Sequence, residues 1–252
     1  YSRKTINLNT RSKMGKNDFI TVEGSVQYNE VKGVNRPTVG YAELNAAWPV
    51  YLAANVVDVR NMAGKDPLRP GINVNTGREL EWNPVPAAIN PYYASYQIAN
   101  RDEQKRWIAR TSLQVNILKN LFVKGTVGLN TVYYNEFNYV PKTNAFTPLG
   151  YYRSGKEYSS KLNLQLLVNY NERFLKDKLG LNLMVGANQE RNNYSSNTAN
   201  GTEWVVPNFY SITNLVNRDL ANSSSLSLLG VAPDGTNSVF SEANLDWDNI
   251  FY

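Results

Sequence analysis

Eight aromatic side chains are the groups best suited to recognition chemistry: Trp48, Tyr51, Trp82, Tyr92, Tyr93, Tyr96, Trp204 and Tyr210. All fall on long, polar or proline-bearing connections between strand-like runs. Flat aromatic faces stack on sugar rings and give large contact area at low entropy cost, and the same side chains anchor protein partners. The competing expectation is that they pack the connections onto one another, because a long loop needs a core of its own. Composition alone does not separate the two.

Bond-breaking chemistry finds little to work with. The chain contains no His and no Cys. That removes the Ser-His-Asp triad, the thiolate nucleophile, disulfides and the commonest zinc sites. Asp102 and Glu103 sit beside Arg101, Lys105 and Arg106, a mixture expected to form a structural ion-pair network. Gly150, then four residues, then Gly155-Lys156, imitates a phosphate-binding loop. Glu157 then stands where that motif needs a hydroxyl for Mg²⁺, and a strand rather than a helix follows. No catalytic residue, metal site or cofactor is therefore expected. The net charge of +5 comes from 26 basic and 21 acidic residues scattered along the chain, so no nucleic-acid partner is expected either.

The elements that carry these residues read as long strands. In residues 158–189, Tyr158, Ser160, Leu162, Leu164, Leu166, Val168 and Tyr170 share one face, against Asn163, Gln165 and Asn169, with Leu167 out of phase. After a charged turn, Leu181, Leu183, Val185 and Ala187 share a face against Asn182, Met184, Gly186 and Asn188. Period-two alternation gives one apolar and one polar face, and the polar face here is mostly amide and glycine. Aromatics mark the ends, with Tyr158 at one and Tyr170 and Phe174 at the other, as a transmembrane strand requires. A mean hydropathy of −0.45 excludes a helical membrane protein but not a β-barrel, whose wall is polar on one side.

Further strands are expected at Ile6 to Thr10, Ile20 to Tyr28, Trp107 to Ile117, Leu121 to Tyr133 and Ser241 to Trp247. Residues 11–18 and Lys119-Asn120 read as turns. Residues 29–104 read as one long connection, with a short helix within 41–62 broken at Pro49. Residues 135–156 and 192–237 read as further loops, and Asp248-Asn249 as a last turn. Short connections thus follow the first, third, fifth and seventh strands, and long ones the second, fourth and sixth. Outer-membrane barrels have this asymmetry, with short periplasmic turns and long extracellular loops; soluble sandwiches mix loop lengths. The expected fold is an all-β, antiparallel transmembrane β-barrel, present in part as about seven to eight strands with long extracellular loops. The turns at Lys119-Asn120 and 173–178 would be periplasmic, and the loops around Asn75 and Asn200 extracellular. Trp107, Tyr170, Phe174 and Trp247 would line the membrane interface.

Three stretches resemble a known family. They are Asn90-Pro91-Tyr92 with Asn100-Arg101-Asp102-Glu103-Gln104-Lys105-Arg106-Trp107-Ile108-Ala109 and Ser112-Leu113; Pro207-Asn208-Phe209-Tyr210-Ser211-Ile212-Thr213-Asn214; and Ser241-Glu242-Ala243-Asn244-Leu245-Asp246-Trp247-Asp248-Asn249-Ile250-Phe251-Tyr252. In order and spacing they are similar to segments of SusC/RagA-type TonB-linked outer-membrane transporters. The resemblance implies that 1–252 is a barrel segment, with the plug domain and the remaining strands outside it. It implies a bacterial outer-membrane location, import of glycan or peptide fragments, a SusD-type surface lipoprotein over the long loops, and coupling to TonB through parts absent here. A secreted all-β carbohydrate-binding module is the alternative from another class.

Overall fold

A computed structural model describes residues 1–36, 45–83, 88–175, 178–207, 209–226 and 236–247. Its strands are β1 (Ser2–Met14), β2 (Ile20–Val34), β3 (Ala99–Asn116), β4 (Leu121–Val140), β5 (Tyr151–Phe174), β6 (Leu179–Trp204), β7 (Leu215–Leu226) and β8 (Thr236–Trp247). They form one antiparallel sheet in the order β1-β2-β3-β4-β5-β6-β7, with β8 also paired to β6.

The last two strands share one place in the sheet. β7 pairs with β6 from Trp204↔Leu215 to Asn193↔Leu226, and β8 continues along the same edge of β6 from Glu190↔Thr236 to Leu179↔Trp247. Both run antiparallel to β6, so the seventh position is filled by two collinear segments.

Sequence period two finds the middle of every strand except β7, and few of the ends. Residues 11–14 belong to β1, and the first turn is only 15–19; the long connection narrows from 29–104 to 35–98. The loop expected over 135–156 shrinks to 141–150, because β4 and β5 pair without interruption out to Val140↔Tyr151. The loop expected over 192–237 is largely strand: β6 continues to Trp204, and β7 follows a connection at 205–214. Asn200, expected on a loop, therefore lies within β6, paired with Asp219 and Arg153. Stretches such as Ser195-Ser196-Asn197-Thr198 are polar on both faces, so their ladder bonds hold a strand that hydrophobic alternation cannot reveal. The Asp248-Asn249 turn lies outside the described residues. The asymmetry of connections stands: 15–19, 117–120 and 175–178 close one end, and 35–98, 141–150 and 205–214 the other.

Register partners in an antiparallel sheet point to the same face. One cross-strand row reads Met14, Ile20, Val115, Val123, Val168, Val185, and the next Val22, Leu113, Gly125, Leu166, Ala187, Val239. Leu166 and Val185 are each 53% exposed, so no second layer of the described residues covers this apolar band. The opposite face carries Arg11, Glu23, Ser112, Thr126, Gln165 and Asn188 in one row, with Ser112 and Thr126 buried. There Glu23 accepts hydrogen bonds from Ser112 Oγ (3.1 Å) and Lys124 Nζ (3.0 Å) and pairs with Arg11. Leu167, the residue out of phase, lies in register with Gly186, and the missing Gly186 side chain leaves room for the Phe240 ring.

Aromatic pairs bound the apolar band on the side of the long connections. Tyr28 and Trp107 lie 4.5 Å apart between ring centres, and Tyr133 and Tyr158 4.9 Å. Beyond Tyr158 the strands run on to the tips. β5 has 24 residues and β6 has 26, more than the roughly 9–11 that a bilayer crossing uses, so the excess projects past the band.

Candidate functional site

The strand tips are covered by a folded loop layer. Residues 35–98 contain helix α1 (Trp48–Leu52) and helix α2 (Pro91–Tyr96). Pro49, expected to break a helix, instead opens one: the first turn has no use for the N–H that proline lacks. At α2 the Asn90 side chain caps the helix by accepting from the N–H groups of Tyr92 and Tyr93, and Pro91 takes the first helical position.

Two small cores hold this layer. Val140 and Tyr151 point to one face of the β4–β5 tip, and their neighbours Tyr139 and Tyr152 to the other. On the first face, Val140 packs with Ile72, Ile89, Tyr93 and Ile98. Gly71 makes this possible: it has φ of 83°, and a Cβ there would lie 2.3 Å from the Tyr93 nitrogen. On the second face Tyr152, Trp204 and Leu215 are buried against Tyr139 and Tyr210. Trp204 Nε1 donates to the Val140 carbonyl at 3.0 Å, Tyr210 stacks on Tyr139 at 3.9 Å, and burial pushes the Tyr210 hydroxyl up to about 12.

A buried carboxylate ties the long connection to the 141–150 loop. Glu79 is 5% exposed. Its Oε1 accepts from the Asn90 N–H at 2.6 Å, and its Oε2 accepts from Asn144 Nδ2 (3.0 Å) and the Ala145 N–H (2.9 Å). The Asn90 amide donates to the carbonyls of Met62 (2.8 Å) and Leu80 (2.9 Å). Beside this hub a cavity of about 320 Å³ opens between α2 and the strand tips, lined by Arg36, Ser95, Asn100, Asn138 and Tyr151 among others. Arg36 is fixed there by a two-pronged contact with Asp102 at 2.6 and 2.7 Å. Glu103 pairs with Lys32 (2.9 Å) and Lys105 (3.1 Å), so both carboxylates of the mixed cluster are engaged in ion pairs. Among the described residues no three His, Cys, Asp or Glu side chains come together.

With this geometry in hand, the chain is similar to solved transporter structures. No family model and no curated protein matches it. The RagAB peptide transporter aligns at 15% identity and a TM-score of 0.64. The RagAB peptide importer aligns at 14% identity in both its closed-closed state (TM-score 0.63) and its open-open state (TM-score 0.60). Each alignment covers 98% of this chain and 26% of the solved one, so the chain spans about a quarter of those proteins. At such identity the likeness is one of fold: the sheet is built as a stretch of β-barrel wall.

The eight aromatics divide by environment. Tyr93 and Trp204 are fully buried and offer no face to a ligand, and Tyr210 is sandwiched between Tyr139 and Trp204. Trp82 is half-buried, its indole N–H donating to the Ala88 carbonyl at 3.0 Å, and Trp48 is half-buried on α1. Tyr92 and Tyr96 stack at 6.4 Å on α2, and Tyr96 is 65% exposed; Tyr51 is 86% exposed. Sequence reading missed Glu79 and Asn144. It missed the Asn90 cap as well, although Asn before Pro is a helix-start signal, whereas nothing local marks Glu79 as buried.

The buried hub has a pH signature. Burial raises the Glu79 carboxyl above its ordinary value of 4.5, outweighing the hydrogen bonds from Ala145 and Asn90. The folded loop then holds a proton that the unfolded loop has released. Its contribution to stability is complete below about 4.5 and is lost as pH rises through the elevated value. The opening free energy of the Asn90 and Ala145 amides, from hydrogen exchange corrected for intrinsic rates, is expected to fall over that window. Glu79→Gln is expected to flatten the dependence.

Proposed function

We propose that this chain is part of the wall and outer loop layer of a TonB-dependent outer-membrane importer of the SusC/RagA type. The observation that carries the reading is the uncovered apolar band, bounded by aromatics, on a sheet with the fold of a transporter barrel. An exposed apolar surface of this extent is an interaction surface, and in a barrel wall the partner is lipid. A secreted carbohydrate-binding module would need a second layer over that band, as sandwiches have. The polar opposite face would line the lumen, and the tips with their loop layer would stand outside the cell. In this reading the imported cargo is an oligosaccharide or peptide fragment, a SusD-type surface lipoprotein closes over the loops, and TonB acts through parts of the polypeptide beyond these residues. The protein does no bond chemistry of its own.

The exposed aromatics are the points where cargo or lid would touch. Loss of one stacked ligand contact costs about 1–3 kcal/mol by analogy with bases stacked on aromatics, and loss of a docking anchor about 2 kcal/mol or more of partner affinity. Tyr51→Ala and Tyr96→Ala are expected to weaken lid capture and to spare ligand binding, because both side chains stand clear of the cavity walls. Trp48→Ala and Trp82→Ala are expected to affect one of the two events. Pull-down of the lid beside calorimetry with oligosaccharide and peptide libraries reads this out. Four variants that alter neither interaction would show these aromatics to be loop packing alone and would remove the assigned role of the loop layer.

A further inference from the structure

Just beyond the aromatic row, the apolar side of the sheet carries a cationic groove of about 380 Å³. Lys32, Glu103, Asn135 and Lys156 form one cross-strand row on this side, two residues past Tyr133 and Tyr158. Val34, Arg101, Phe137 and Ser154 form the row after it. The residues between, Gly33, Asp102, Glu136 and Gly155, point their side chains the other way and leave only backbone as the floor. The space a Cβ would take at Gly33 is filled by Arg36 and Asp102, and at Gly155 by Glu136, all on the far side. Asp102 is held there by Arg36, and Glu136 by Arg153.

The groove's charge is therefore positive. The carboxylates on this side are already engaged, Glu103 by Lys32 and Lys105, and Glu30, one row nearer the band, by Lys32 and Lys4. Arg101 and Lys156 are exposed, line the groove and have no anionic partner among the described residues. Asn135 and Ser154 add neutral hydrogen-bonding groups between them.

We propose that this groove binds the phosphate of an anionic lipid in the outer leaflet. The proposal rests on the membrane reading above. Two residues of strand rise about 7 Å, which puts the cations at headgroup depth when the aromatic row marks the interface. Below them Tyr158 and, past the Thr131–Ser160 row, Leu129 and Leu162 continue the same face towards the apolar band that would meet the acyl chains. A free phosphate would gain nothing from that band, whereas a lipid gains from both parts. Headgroup attraction by Lys and Arg supplies the polar half.

The test uses the whole protein in nanodiscs of phosphatidylcholine carrying a minor fraction of phosphatidylglycerol, with retained lipid counted by native mass spectrometry. The double variant Arg101→Gln/Lys156→Gln is expected to hold phosphatidylglycerol roughly twentyfold more weakly, from the loss of two headgroup-facing cations. Both side chains are exposed and unpaired, so the fold is untouched. Glu103→Gln is expected to act in the opposite direction, at least about threefold tighter, because it removes the carboxylate that stands in the cationic row and frees Lys105. Added inorganic phosphate is expected to leave the lipid in place. Unchanged retention in the double variant overturns the site. Displacement by millimolar inorganic phosphate assigns it to free anions and overturns the lipid. A protein that enters nanodiscs without lipid selectivity defeats this proposal alone; one that cannot enter them defeats the membrane reading with it.

Discussion

Leu164→Arg is expected to destabilise the protein in a bilayer by about 2–4 kcal/mol, while Gln165→Arg, one residue along, is tolerated. Leu164 is in register with Val127 on the apolar side, among rows of Val and Leu with no covering layer. An arginine there must carry its charge into hydrocarbon or bend towards the interface. Gln165 lies in register with Thr126 and Asn188 on the polar side, in the row that also holds Glu23. A new guanidinium at that position meets water and polar neighbours. Leu183→Arg and Asn182→Arg on β6 repeat the comparison. Urea unfolding from lipid vesicles measures both pairs, and equal costs on the two faces would reverse or abolish the assignment.

Asn90→Ala is expected to cost about 3–5 kcal/mol, felt in the loop layer and not in the strands. The side chain is fully buried and makes four hydrogen bonds: two accepted from the first turn of α2 and two donated to carbonyls of the long connection. Loss of a cap costs about 1 kcal/mol, and each buried carbonyl left without its donor adds about 1–3 kcal/mol. Asn90→Asp keeps the cap but loses both donations and brings a second carboxylate beside Glu79, so it is expected to recover little. Limited proteolysis should cut within 35–98 in both variants while the strands stay protected. A loop that resists proteolysis in Asn90→Ala would mean the two cores hold it without the hub.

The fold was legible where one face is apolar and the other polar. Leu162 to Val168 and Leu181 to Ala187 declare their strands by period two, as do Val22 and Leu113. That signal stops where the band stops. Residues 195–202 carry no apolar alternation, and Asn217-Arg218-Asp219 interrupts any in β7, so β7 and the upper part of β6 look like loop by composition. Proline misled: Pro49 looked like a breaker and is a helix start, and Pro91, read only as part of a connection, is another. The candidate site was legible as an aromatic-rich layer. Which of its aromatics are core depends on contacts distant in sequence, such as Trp204 against Val140 and Tyr93 against Gly71 and Thr143. Glu79 was invisible for the same reason, since all its partners but Asn90 lie on another loop.

The central claim is that β5 crosses a bilayer with one face in lipid and the other in water. The chain has no Cys, so single cysteines at 162 through 166 can each carry a spin label in a cysteine-free protein. Labels at 162, 164 and 166 are expected to collide with dissolved oxygen, which concentrates in lipid, and labels at 163 and 165 with a water-soluble nickel complex. The two accessibilities should alternate in antiphase with period two. Labels equally accessible to the nickel complex at all five positions would mean that this strand never enters a membrane, and the account would be wrong.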